Sequence, residues 1–439
     1  MAKIIQQKIF RWQDVETSGE LERLTMVLEV LPDEELMKML EEERKGRRDD
    51  YPIRAVWNSI LAGIVYQHPS IEALRRELRR NGELREVCGF EPLGGEKAVP
   101  SKDAYSSLLK KLLKRQQEID RMFDGLIEEL KKELPGFGRN LAIDSKKIES
   151  YACGKKNPEE SSDPEADWGH KTYRGKRADG SVWEKVLSWF GYKLHLLVDT
   201  TYELPVGYRV TKATRGDIDE MLPMVEEAQE KHFGEGMETL AGDKAYDSGP
   251  HEEILYDRYG IKPVIDIRNQ WKDGEETKPL RTDEADNIVY DYKVTVYCHC
   301  PVSDERHEMA FSGFERDRES LKYKCPASAY GVKCRGYAVC SKEGKGKIVR
   351  IALATDRRIF VPIARSSYKW QRIYNGRTAV ERVNSRIDGS FGFERHFVRG
   401  KAKMTLKAGL ALVVMLSMAL ARIRRNQRED LRSLIKQAA

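Results

Sequence analysis

The stretch from Arg139 to Ile148, RNLAIDSKKI, carries an apolar run, Leu141-Ala142-Ile143, that meets an acid at Asp144. It predicts a short buried strand with Asp144 at its centre. Burying a lone carboxylate is costly, so Asp144 needs a partner or a cation. Taken alone, it is explained more simply as a turn cap or the partner of an Arg. Downstream, Trp189 to Thr200 (WFGYKLHLLVDT) and Pro205 to Ala213 (PVGYRVTKA) read as strands joined by a turn at Tyr202-Glu203. Asp219 to Lys231 reads as an amphipathic helix, and Thr239 to Ala245 as a strand ending near Asp243. Pro250 to Tyr259 reads as a helix and Lys262 to Ile267 as a strand. The order β-β-β-α-β-α-β predicts an α/β fold with a mixed sheet covered by helices. Asp243, like Asp144, closes an apolar run, here Leu240-Ala241.

Upstream, helical periodicity dominates. Glu20 to Glu43, Pro52 to Tyr66, Ser70 to Arg80 and Asp103 to Leu134 all repeat apolar residues at helical spacing. Short helices with an Arg-rich face suit a DNA-binding bundle, and an interaction bundle equally. Ser150 to Glu184 is polar and rich in turn signals, so it reads as a mobile excursion. It holds Trp168, Tyr173 and Trp183 among Lys and Arg, a mixture suited to distorted or single-stranded DNA. Gln270 to Asp286 is charged and turn-rich, Asn287 to Tyr297 and Ile348 to Leu353 are strand-like, and Ser367 to Asp388 returns to helix. No internal repeat and no P-loop is present. The expected division is a helical unit at 1–138, a first segment of the mixed-sheet core at 139–270, a β-rich Cys-containing segment at 271–365, and a last core segment at 366–439.

The chain has 439 residues, enough for two to four domains. A mean hydropathy of −0.62 excludes a polytopic membrane protein. The opening MAKIIQQKIFRWQD lacks the apolar centre of a signal peptide, which gives an intracellular expectation. The uncharged run Ala408 to Ala421 is too short to span ~30 Å of hydrocarbon and reads as a buried core helix. The net charge of +6 is unevenly placed: 19 Lys/Arg stand against 6 Asp/Glu from Asp356 onward, and 58 against 65 before it. A basic end on a slightly acidic chain suggests a polyanion partner met locally. The plainer explanation is a solvated, Arg-rich helical tail.

One further acid stands out by spacing. In Tyr374-Asn-Gly-Arg377-Thr-Ala-Val-Glu381 the phenol, guanidinium and carboxylate fall at i, i+3 and i+7, on one helix face. Such a face can meet a metal and a phosphate together. The plainer explanation is an exposed Arg377–Glu381 ion pair. The chain offers no Ser-His or Cys-His signature of covalent catalysis.

Together, LAIDSK (Asp144), GYKLHLLVD, PVGYRVT, LAGDKAYDS (Asp243) and YNGRTAVERVNSRID (Glu381) resemble the DDE-class transposases of bacterial insertion sequences, in the group with a β-rich insertion before the last acid. The resemblance covers roughly residues 50 to 425. It implies an RNase H-like catalytic fold, with Asp144, Asp243 and Glu381 as a triad holding Mg²⁺ or Mn²⁺. It implies cleavage of element ends and joining of the 3′-hydroxyl to target DNA by two-metal hydrolysis and transesterification. The implied partners are double-stranded DNA, as terminal inverted repeats and target, and a second copy of the chain. No membrane is implied, and the expected location is cytoplasmic and nucleoid-associated. Tyr374, Arg377, Arg382 and Arg386 are the expected DNA contacts. The family pattern usually places a Lys seven residues after the Glu. This chain has Asp388 there, a reversal of charge for which Arg382 or Arg386 offers a substitute. The alternatives are a nuclease of the same fold without strand transfer, and a repurposed DNA-binding protein.

Five of seven cysteines, Cys298, Cys300, Cys325, Cys334 and Cys340, cluster in the expected insertion, with His299 and His307 nearby. The spacing is not that of a standard zinc ribbon; a structural Zn²⁺ site and unliganded buried thiols are equal readings. His195 reads as a satisfied sheet histidine, Asp199 as structural, and Asp217 and Asp219 as helix caps. Arg395, Arg399, Lys401, Lys403, Arg422, Arg424, Arg425 and Arg428 are expected to divide between DNA phosphates and a solvated face.

Overall fold

A computed structural model describes residues 21–43, 51–177, 179–281, 287–341, 344 and 346–432. The stretches of the expected units at 1–20, 44–50, 282–286 and 433–439 lie outside the described residues.

Among the described residues, seven helices come first: α1 (Leu21–Val30), α2 (Glu34–Glu42), α3 (Ile53–Val65), α4 (Ile71–Arg80), α5 (Gly82–Cys88), α6 (Lys102–Leu112) and α7 (Gln116–Glu133). Side-chain caps set several of the starts. Ser70 accepts from the Ala73 N–H, Asn81 from Leu84 and Ser101 from Ala104. Pro32 separates the first two helices, and residues 113–115 interrupt what reads as one run from Asp103 to Leu134.

The sheet follows. Its strands are β1 (Asn140–Glu149), β2 (Asp167–Lys176), β3 (Val182–Asp199), β4 (Leu204–Lys212), β5 (Thr239–Gly242) and β6 (Lys262–Ile265), with α8 (Ile218–Ala228) and α9 (Gly249–Asp257) between the later ones. The inner half of β3 lies between β4 and β1, antiparallel to both. β5 and β6 then continue parallel to β1. This is the mixed α/β sheet expected from the strand order.

From Asp167 onward, the segment expected to be a mobile excursion forms a two-stranded ribbon. β2 pairs with the outer half of β3 from Asp167↔Gly191 to Lys176↔Val182. Two glycines that look like turn signals are seats for aromatic rings. A Cβ at Gly169 would meet the Trp189 ring at 2.3 Å, and one at Gly175 would meet Trp183 at 2.5 Å. Each tryptophan stands directly across the ladder from its glycine. Trp168 packs on Phe190 at 5.6 Å.

Residues 277–352 form two small antiparallel sheets. The first orders β10 (Arg306–Glu308), β9 (Val296–His299), β8 (Ile288–Asp291) and β7 (Thr277–Pro279); the second is β11 (Ala310–Glu315), β12 (Ser320–Lys324) and β13 (Ile348–Ala352). The single strand expected over Asn287 to Tyr297 is thus a hairpin, β8–β9, turned at Tyr292 to Thr295 with Val294 at φ 73°. Two short helices, α10 (Pro326–Tyr330) and α11 (Tyr337–Cys340), lie between β12 and β13.

Three helices complete the fold: α12 (Tyr368–Asn375), α13 (Thr378–Phe391) and α14 (Lys401–Arg424). The last is longer than its apolar run suggests, and 89% of its most apolar window is buried inside the protein. It packs on α7, α1, α3 and β4. One hydrophobic core therefore runs from Leu24 through the sheet to Leu431, and a separate one spans Ile267 to Ala364.

Candidate active site

Asp144 and Asp243 are brought together by parallel pairing. Ala142 stands opposite Ala241, and each acid lies two positions further along its strand direction. Neighbouring strands are ~4.8 Å apart, so the two carboxylates sit on adjacent strands, Asp144 within β1 and Asp243 just past the end of β5. Asp243 Oδ1 accepts from the Ala245 N–H at 2.7 Å and caps the tight turn Lys244–Tyr246. Asp144 Oδ1 accepts from the Ser145 N–H at 2.7 Å. Burial, and then the charge of Asp243, push the Asp144 carboxyl up to about 6.

Glu381 comes from α13, which packs on β1 and β3. The expected single helix from Ser367 to Asp388 is broken at Gly376. The break is a tightened one, with Gly376 N–H donating to Ile373 O and Arg377 N–H to Tyr374 O, each at 2.9 Å. Tyr374, Arg377 and Glu381 still converge. Arg377 donates to Glu381 Oε1 at 2.8 Å and lies 3.7 Å from Asp144 Oδ2, bridging the first and third acids. Tyr374 stacks on Trp370 with centroids 4.6 Å apart and planes at 12°, and the Arg377 guanidinium sits 5.8 Å from the Tyr374 ring. Burial raises the Tyr374 phenol, as does the charge of Asp266.

The other expected DNA contacts are placed differently. Arg386 is buried and donates to Glu203 O at 2.6 Å and to Glu203 Oε2 at 3.2 Å. Arg382 donates to Glu203 Oε1 at 2.9 Å. Glu203 sits at φ 57° in the β3–β4 turn, so both arginines pin α13 to the sheet. Asp388, at the position where the resembled pattern has a Lys, faces Lys146 of β1.

The basic end is also largely spent within the fold. Arg424 pairs with Glu129 at 2.9 Å, Arg425 with Glu22 at 3.0 Å and Glu29 at 2.8 Å, and Arg428 with Glu133 at 3.6 Å. Arg422 is buried, and Arg399 donates to Tyr151 O at 2.6 Å. Much of the charge asymmetry along the chain is therefore matched internally, with the bases in and just after α14 set against the acidic helices α1 and α7. Arg395 remains beside the triad, lining an open pocket of about 640 Å³ with Glu381, Asn384, Ser385, Asp388 and Glu394.

His195 is fully buried and meets Thr211 Oγ1 at 2.8 Å, and burial lowers its imidazole to about 4. Asp199 accepts from the N–H groups of Gly138, Thr201 and Tyr202. Asp217 makes no side-chain cap and pairs with Lys193 at 2.8 Å; Asp219 faces Arg215 at 3.6 Å. The five clustered cysteines are free thiols. Burial first, and then the nearby Cys325, Cys334 and Cys340, raise Cys298 to about 11. Among the described residues, no three His, Cys, Asp or Glu side chains are gathered closely enough to hold a metal ion, at the cysteines or at the triad. At the triad, Glu381 is turned to Arg377.

Sequence reasoning missed Lys146, Glu203 and Trp370. Lys146 was within reach, because it shares a strand face with Asp144; Glu203 carried no local signal.

Residues 135–416 match the Transposase DDE domain. A search of curated proteins finds no match. A piggyBac transposase solved in a synaptic complex with hairpin DNA is similar over 94% of this chain and 80% of its own, at 12% identity and a TM-score of 0.38. With that domain spanning well over half of its length, the chain belongs to the DDE transposase family.

Proposed function

We propose that this transposase cuts the ends of a mobile DNA element and joins the freed 3′-hydroxyl to target DNA, using Asp144, Asp243 and Glu381 as its acidic triad. The observation that carries this reading is the register: both aspartates lie two residues past the Ala142–Ala241 pair, and Arg377 ties Asp144 to Glu381. The donor set fits Mg²⁺ or Mn²⁺, being carboxylate oxygen alone, and the raised Asp144 carboxyl is what a cation beside it would relieve. When bound there, divalent cations supply Lewis-acid polarisation of phosphoryl oxygens and a lowered water pKa. Arg377 places a fixed positive charge where negative charge grows on the attacked phosphate. Tyr374, half-buried and stacked on the buried Trp370, supplies an aromatic group beside Arg377 for a base or sugar at the cut. Arg395 and the lysines at the start of α14 supply phosphate contacts without sequence preference. The partners are double-stranded DNA and a second copy of the chain, each copy holding one end. The helical N-terminal unit is the reader of the end sequence, and the cell compartment is that of the chromosome.

The test is incubation of purified protein with labelled DNA from either side of its gene, with Mg²⁺. Cleaved and joined products are expected with wild type, and neither with Asp144→Ala. Cleavage without joining would favour a nuclease, and equal cleavage by Asp144→Ala would overturn the triad.

A further inference from the structure

Strand β1 and helix α13 meet at two rungs, and only the first involves the triad. In the first, Arg377 from the head of the helix region lies between Asp144 and Glu381. The second lies two residues along the strand and two turns along the helix. Lys146 shares a strand face with Asp144, and Asp388 shares a helix face with Glu381. Lys146 Nζ donates to Asp388 Oδ2, and to Glu394 Oε1 at 2.9 Å. The Lys146 side chain is 11% exposed and that of Asp388 25%, so water screens this pair less than a surface pair. Glu394, in the loop after the helix, is 61% exposed and shares a hydrogen bond with Asp388.

We propose that Lys146 and Asp388 are a positioning pair: an ionic latch that sets how closely the Glu381 helix approaches the Asp144 strand. The proposal rests on the triad reading above. Its two members are 242 residues apart in sequence, so the contact closes a tertiary junction and is not a local helix pair. The charge is transposed relative to the pattern this chain resembles, with the base on the strand and the acid on the helix. The opposite side of α13 is held separately by Glu203 through Arg382 and Arg386. Losing the latch therefore leaves the helix folded and attached, while Glu381 is free to drift from Asp144. A drift of ~1 Å costs as much as ~100-fold in rate.

The experiment is Mn²⁺-dependent nicking of a supercoiled plasmid carrying the DNA that flanks the gene. It compares wild type, Lys146→Gln, Lys146→Arg, Asp388→Asn, the exchange Lys146→Asp/Asp388→Lys, and Asp144→Ala. Each neutral variant is expected to lower kcat about 10-fold with KM within about 2-fold, while a melting temperature lowered by only a few degrees shows the protein still folded at the assay temperature. Lys146→Gln is the weaker of the two, because it leaves Asp388 and Glu394 facing each other. Lys146→Arg and the exchange are expected to return kcat to within about 3-fold of wild type. Neutral variants with wild-type kcat, or an exchange no better than the weaker single change, overturn the latch. If Asp144→Ala is inactive in that same series, the triad stands without it. If Asp144→Ala nicks as well as wild type, the triad reading fails and takes the latch with it.

Discussion

Replacing Asp144 by Asn should make the metal-free protein more stable while abolishing its activity. The Asp144 carboxyl titrates at about 6 in the folded chain, against an ordinary value of 3.8. At about 1.4 kcal/mol per pH unit, its ionised form costs the fold about 3 kcal/mol. The side chain keeps 22% of its exposure, and water reached through that opening trims the figure to about 2 kcal/mol. The attraction of Arg377 is already contained in the titration. The Asn side chain is nearly isosteric and its oxygen still accepts from the Ser145 N–H. The sign follows from proton counting. Between pH 3.8 and about 6 the folded chain holds a proton that the unfolded chain has released, so wild-type stability falls as pH rises through that window. The advantage of Asp144→Asn is therefore full above pH 6 and gone below about pH 4. Melting in EDTA at pH 7.5 should show a rise of about 2 °C for the variant, a small shift because the chain is long. Repeated at pH 4, the two curves should coincide. Millimolar Mg²⁺ at pH 7.5 should raise wild type and leave the variant unmoved. A variant no more stable at pH 7.5, or an advantage that survives acidification, would refute the argument that Asp144 is held under electrostatic strain.

Three further outcomes are expected. Arg365 is buried and donates to Glu252 Oε2 at 2.9 Å and to the carbonyls of Ile265, Arg358 and Ile359, so Arg365→Ala should destabilise by about 3–5 kcal/mol in urea denaturation. Gly191→Ala places a Cβ 2.2 Å from Ile148 O, where β3 leaves β2 for β1, and should cost at least about 2 kcal/mol by the same measurement. Arg386→Ala should lower stability by about 1–3 kcal/mol but leave the salt dependence of DNA binding unchanged, because its guanidinium is committed to Glu203; a shallower salt slope would show it on DNA instead.

The acids proposed as the triad stand out in the sequence because each marks a break or a spacing in a periodic pattern. Asp144 and Asp243 end apolar strand runs, and Glu381 completes a helical spacing with Tyr374 and Arg377. Periodicity survives translation into three dimensions, since it fixes which face a side chain leaves. What was not legible depended on partners far away in the chain. Arg386 looks like a DNA contact until Glu203, from a turn 183 residues earlier, is seen against it. Counting charges located the basic end but not the acids of α1 and α7 that absorb it. The ribbon was hidden for another reason: Gly169 and Gly175 read as turn formers, whereas each is a flat seat for a tryptophan on the opposite strand. Asp388 stood out as a departure, yet only the fold reveals Lys146 across from it.

The long buried helix α14 has a consequence for how the protein is made. It follows every other helix and strand named above in chain order, yet it fills the groove against which α1, α3 and α7 close. At ~5–20 residues per second, the interval between completion of α7 and arrival of α14 is roughly 10 to 50 s. Throughout it, the apolar faces of the first helices stand without the element that covers them. A newborn chain is thus committed to a wait on the ribosome, with chaperones as its natural company. Chains ended by a premature stop before Lys401 never leave that state.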